Sequence, residues 1–146
     1  ERMQLLEAFR NAAPGLRRLL ETPREWLLWS LHDLPARTLA QGRVALIGDA
    51  AHPVLPFMAQ GAAMAIEDAA TLMRSLQAAP SEPEAALAQY ARTRLTRVRR
   101  IQDTARRNGR IYHSGGVMAF GRNMVMRRLG PQGMAERYGW IYDWRP

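Results

Sequence analysis

The sequence predicts an α/β fold, mostly helical with a few strands, on three observations. A short apolar run, residues 44–47, stops abruptly at Gly48 and Asp49, as a buried strand carrying a carboxylate to its tip would. Residues 61–77 then repeat apolar side chains every three and four positions, the period of an amphipathic helix. A second and longer helical pattern runs from the Ser81 region to about Asn108.

Composition sets the limits within which these elements are read. The chain has 146 residues, of which 47% are hydrophobic and 23% charged, enough for about one globular domain with a core. It opens on Glu1 with no apolar leader, so the expectation is a piece of a longer protein. No run approaches the roughly 20 apolar residues of a membrane-spanning helix, and a soluble, cytoplasmic protein is expected. Cysteine is absent and the three histidines are scattered, so neither a disulfide framework nor a metal site is expected. The net charge is +8, and all 21 basic residues are arginine. Such a balance suits a nucleic-acid or anionic-membrane partner, but the favoured expectation is coding bias toward arginine together with an acidic portion outside these residues that balances the charge.

In chain order, Leu5, Leu6 and Phe9, then Leu16, Leu19 and Leu20 behind Pro14, predict two small packing helices. Residues 26–34, WLLWSLHDL, are short and aromatic and predict a strand buried on at least one face. Their tryptophans read as core more readily than as the lining of a pocket. A turn through Gly42 leads into the apolar run and Asp49. That carboxylate suits hydrogen bonds from the hydroxyls of a sugar-like ligand, or equally a cap for a turn or helix. The following loop is stiffened by Pro53 and Pro56.

The helix of residues 61–77 is expected to bury Ala62, Ala65, Ile66, Ala69, Leu72, Met73 and Leu76. Glu67, Asp68, Thr71, Arg74 and Ser75 are expected on its other side. Its first turn, Gly61, Ala62 and Ala63, is almost without bulk. That permits either a ligand against the free amides and positive dipole end, or close packing of the helix on its neighbours. Ser81 and Glu84, with Pro83 between them, form a capping-box pattern for the next helix. Its apolar stripe is Leu87, Tyr90, Ala91, Leu95, Val98, Ile101 and Ala105, and Gly109 is expected to end it. Arg92, Arg94, Arg97, Arg99, Arg100, Arg106 and Arg107 are expected to form a solvated face, since no aromatics are interleaved for stacking on bases. A further helix is expected over residues 117–129. The tail from Gly130 is expected to be irregular and anchored by Trp140, Ile141, Tyr142 and Trp144.

Residues 42–76, GRVALIGDAAHPVLPFMAQGAAMAIEDAATLMRSL, closely resemble the second flavin-binding motif of the FAD-dependent aromatic hydroxylases. These are single-component flavoprotein monooxygenases, and the similarity is strongest to the salicylate and 3-hydroxybenzoate hydroxylase branch. NGRIYH at 108–113 and GWIYDW at 139–144 resemble the same branch, so the likeness extends from about Trp26 to the end. It implies a C-terminal part of a Rossmann-like, glutathione-reductase-type FAD-binding fold. Residues 1–41 would then be the end of a substrate-side sheet with packing helices, 42–77 a strand-loop-helix flavin motif, and 78–146 the C-terminal helices and aromatic tail.

The resemblance also implies roles. Gly48 and Asp49 match the position whose carboxylate binds the ribityl hydroxyls of FAD, and Pro56 a loop position beside the isoalloxazine ring. Gly61, Ala62 and Ala63 match the helix start whose amides meet the flavin pyrimidine edge. The activity implied is hydroxylation of a phenolic or benzoate-type ring with NAD(P)H as co-substrate and O2, with no nucleic-acid or membrane partner. Catalytic acid and base residues and the oligomeric state are not implied. The GxGxxG unit of the family is absent from these residues, so the fragment alone is expected to be inactive. The competing expectations are a noncatalytic, arginine-rich interaction module and an inactive truncated product.

Overall fold

Two short helices open the chain, α1 (Arg2–Ala8) and α2 (Pro14–Glu21), within a first unit, Glu1–Leu31. The structure is a computed structural model that describes residues 1–145; Pro146, the last position of the expected third segment, lies outside the described residues. Pro14 occupies the first turn of α2, where its fixed φ is already helical and its missing N–H costs nothing. The Arg2 guanidinium donates to the Glu21 carbonyl at 2.9 Å, and the Trp26 indole donates to the Leu20 carbonyl at 3.0 Å. Neither helix buries a residue.

The strand expected over residues 26–34 does not form. A strand needs a ladder partner for its backbone groups, and none pairs with this segment among the described residues. Leu27, Leu28, Trp29 and Leu31 are exposed rather than core.

The second unit begins at His32. Its sheet is one small hairpin, in which β1 (Ala40–Gln41) pairs antiparallel with β2 (Val44–Ala45), Ala40 opposite Ala45 and Gln41 opposite Val44. Gly42, at φ +55, supplies the left-handed turn residue. The expected buried strand over 44–47 is therefore reduced to two residues, with Val44, Leu46 and Ile47 exposed, because only one short partner lies beside it.

Three long helices follow: α3 (Gly61–Ala78), α4 (Pro83–Tyr112) and α5 (Gly116–Tyr142). The extent of α3 is as expected and Leu72 packs against the core, but the buried face is turned toward the side expected to be polar. Met64, Asp68, Thr71 and Ser75 are buried, while Ile66, Met73 and Leu76 are exposed. The cause is α4, which presents Arg94 to α3 and so draws the acidic side of α3 inward.

The Ser81 capping box does not form. Glu82 is the cap position, and no side chain caps the helix there. Pro83, at the first helical position, sets the boundary by keeping the residue before it out of the helical region. Gly109 does not end α4 either; it admits the Phe57 ring, which would stand 2.7 Å from a Cβ at that position. The expected solvated arginine face is corrected at Arg94 and Arg97, which are both buried, while Arg92, Arg99, Arg100 and Arg107 are exposed as expected.

The core packs Ala36, Leu39, Ala51, Met64, Tyr90, Val98 and Ile101 together. Polar anchors from α4 hold the loops around it. Gln102 accepts from the Ala36 N–H and donates to the carbonyls of Leu34 and Pro53, and the Arg99 Nε donates to the Ala36 carbonyl.

In α5 the expected helix over 117–129 is present, but the irregular tail from Gly130 is not. The backbone breaks at Gly130 (φ 62, ψ −177) and resumes helix directly at Pro131. Proline is well placed there, since it opens a new helical segment rather than interrupting one. Ile141 is buried and Trp140 packs against the core, while Tyr142, expected as an anchor, is exposed. No described helix is long and apolar enough to cross a membrane.

Candidate functional site

The turn after β2 and the start of α3 come together around one carboxylate. Gly48 takes φ +57, and its conformation starts a 3-10 turn (Gly48–Ala50) that carries Asp49 outward. A Cβ placed on Gly61 would lie 3.8 Å from the Asp49 Oδ1, so the carboxylate sits beside the first residue of α3. Asp49 is exposed and makes no hydrogen bond among the described residues. It therefore caps neither its own turn nor α3.

Among the described residues, nothing else caps the start of α3. Gln60, at the cap position, contributes no side-chain bond, so the amides of Gly61, Ala62 and Ala63 have no intrahelical acceptor. Ala62 is exposed. The helix dipole adds partial positive charge at these amides. The result is an acceptor-only carboxylate next to a row of donors, suited to a ligand that offers hydroxyls on one part and hydrogen-bond acceptors on another.

Between these two elements runs a second 3-10 turn (Pro56–Met58), opened by exposed Pro56. The Pro56 carbonyl accepts from the Ala59 N–H, and Ala59 takes the left-handed conformation (φ 52) that brings the chain into α3. Phe57 packs its edge against Tyr112 and His113, and Asn108 donates to the Phe57 carbonyl at 3.4 Å, so the loop is tied down on α4.

Behind the turn lies a buried polar network that the sequence reading did not single out. Oδ2 of Asp68 accepts from the Gly48 N–H at 2.9 Å and from Nε2 of His52 at 2.6 Å. Oδ1 accepts from Nε of Arg94 at 2.7 Å, and all three side chains are fully buried. Burial works to raise the Asp68 carboxyl, but the hydrogen bonds from His52, Arg94 and the Gly48 amide outweigh it and hold the group below its ordinary value. Burial likewise pushes the Tyr90 phenol upward; its hydroxyl donates to the Leu46 carbonyl at 2.7 Å, just before the site. The signal for this network was available as a spacing: Glu67 and Asp68 on one helix, and Arg94 and Arg97 one turn apart on the next.

Comparison with known proteins places the chain in a family. The FAD binding domain family matches residues 6–105. A 3-hydroxybenzoate 6-hydroxylase of Klebsiella oxytoca is 36% identical over 143 residues, covering 97% of this chain and 36% of that protein. The 3-amino-4-hydroxybenzoate 2-monooxygenase PtnB3 of Streptomyces platensis is 47% identical over 118 residues, covering 78% of this chain and 28% of that protein. A solved salicylate hydroxylase substrate complex superposes with a TM-score of 0.70 at 32% identity, covering 99% of this chain and 35% of that one. The chain thus spans about a third of the length of the relatives it matches. The mostly helical fold is a part of the FAD-binding monooxygenase fold, and the chain belongs to the FAD binding domain family, whose cofactor is FAD.

Proposed function

We propose that the Gly48–Asp49 turn and the first turn of α3 hold the flavin half of FAD, in a protein that hydroxylates a phenolic or benzoate-type ring. The observation that carries this reading is the unpartnered Asp49 carboxylate set beside the uncapped amides of Gly61, Ala62 and Ala63. The residues fit the group. Asp49 would accept from ribityl hydroxyls, the three amides would donate to the pyrimidine edge, and Pro56 would border the ring from the loop.

A flavin held there would supply the redox chemistry, with NAD(P)H as reductant and O2 as oxidant. The chain's own residues bind and orient. The amides and dipole of α3 favour negative charge on the ring edge nearest them, and the stiff Pro53–Pro56 loop limits movement of that wall. The names of the relatives, which include hydroxybenzoate hydroxylases, support a small aromatic substrate, and a cytoplasmic setting suits such chemistry.

The interaction-module reading is weakened by how the arginines are used. Arg94, Arg97, Arg99 and Arg106 all bond within the chain. Flavin fluorescence titration tests the proposal. Riboflavin should compete with FAD while ADP does not, and Asp49→Ala should weaken binding about tenfold or more, the loss of a charge-assisted hydrogen bond. Unchanged affinity in Asp49→Ala would remove the assigned role.

A further inference from the structure

What fixes the Asp49 turn lies on the side away from the ligand, and it leads step by step to the C-terminal tail. The Gly48 N–H is held by Asp68, and Asp68 by Arg94. Arg94 also donates to the Met64 carbonyl at 3.2 Å and, through Nη1, to Glu67 Oε2 at 2.6 Å. The same Oε2 accepts from Arg97 Nε at 2.7 Å, while Glu67 Oε1 accepts from Arg97 Nη2 at 2.5 Å. Arg97 then donates to the carbonyls of Trp140 at 3.2 Å and Ile141 at 2.8 Å. The Trp144 ring lies against both guanidiniums, 4.7 Å from Arg94 and 4.8 Å from Arg97.

We infer that residues 140–144 are a positioning element for the Gly48–Asp49 turn, acting through Arg97, Glu67, Arg94 and Asp68; its importance for the cofactor rests on the flavin reading above. The physical basis is that one carboxylate oxygen of Glu67 is divided between two buried arginines. Remove the tail and Arg97 loses two carbonyl acceptors and a ring face. Glu67, at 16% the most solvent-accessible of the four linking side chains, is then free to reorient. Arg94 is shared between Glu67 and Asp68, so a shift of Glu67 changes its hold on Asp68. Asp68 in turn is the acceptor for the Gly48 amide.

Amide exchange in the full chain, followed by NMR, tests this without any ligand. The Leu46 amide is the internal reference, because it bonds to the Leu39 carbonyl outside the network. In Trp144→Ala and Arg97→Met, exchange at Gly48 should rise about tenfold relative to Leu46, as expected when a local hydrogen bond is loosened without global unfolding. The His52 Nε2 proton resonance should move with it, and Arg97→Lys should restore part of the effect. Trp144→Phe applies the same ratio in a milder variant. A lowered melting temperature with an unchanged Gly48 to Leu46 ratio would reduce the tail to ordinary packing and overturn the inference. Asp49→Ala separates the two proposals. It should weaken FAD binding while leaving Gly48 exchange alone; if FAD binding is unaffected, the flavin reading fails and the exchange ratio still decides the positioning role.

Discussion

Asp68 is the residue on which the second unit most depends, because it is a fully buried carboxylate facing a fully buried guanidinium. Removing one partner of such a pair leaves the other charge uncompensated, so Asp68→Asn should cost about 3–5 kcal/mol at neutral pH. The asparagine keeps one acceptor oxygen but turns an N–H pair toward groups that are themselves donors. The pH dependence follows from the direction of the shift. The folded carboxyl lies below its ordinary value of 3.8, so its stabilisation is present above that value and is lost as pH falls through the lower, folded one. Urea unfolding at neutral pH and near pH 3 should show wild-type stability falling and the asparagine variant falling less. Equal losses in both would mean that Asp68 does not carry the acid sensitivity.

At the scale of elements, the contact of α4 with the Pro56–Met58 turn depends on one missing methyl group. Two opposing effects meet at Gly109. Alanine in a helix interior is better than glycine by about 1 kcal/mol, but its Cβ would stand 2.7 and 2.8 Å from two carbons of the Phe57 ring. Relieving that overlap means moving an aromatic ring held between Tyr112 and His113, and overpacking of this kind costs about 1–3 kcal/mol. The clash should win, so Gly109→Ala should lower the melting temperature and shift the Phe57 ring resonances; a raised melting temperature would show the loop to be compliant. This glycine also shows where the sequence was misleading. Read along the helix it signals an end, and only the packing of a residue 52 positions earlier makes it a contact. The extent of α3 and the layout of residues 48–63 were legible because turn, proline and small-residue signals act locally. The buried face of α3 was not, since apolar periodicity alone does not register that Glu67 and Asp68 would meet Arg94 and Arg97 from another helix. The strand expected at residues 26–34 failed for a related reason: strand propensity has no outcome without a neighbouring strand.

For the molecule as a whole, the conspicuous feature is apolar surface left in water. Ile66 and Met73 on α3 are exposed, as are Val117, Met118, Phe120 and Met124 on the first part of α5. Patches of this kind drive association. The chain should self-associate as its concentration rises, and the double variant Ile66→Glu with Phe120→Glu should reduce this in sedimentation experiments. Since both sites are exposed, stability should change by no more than about 0.5 kcal/mol for each. Sedimentation as a monomer at every concentration would contradict the expectation. At this scale the family was legible from the residues themselves, through the run of residues 42–76, whereas the cross-links that hold that run in place join residues too far apart to be read as a motif. The break at Gly130 has a mechanical consequence for those links. The segment from Pro131 to Ile141 is a lever about 15 Å long, so a 20° swing at its pivot would carry the tip about 5 Å, further than any hydrogen bond stretches. The pivot angles, φ 62 and ψ −177, are open in practice to glycine alone. One backbone torsion, 82 positions from Gly48, thereby sets the aim of the carbonyls that Arg97 must reach.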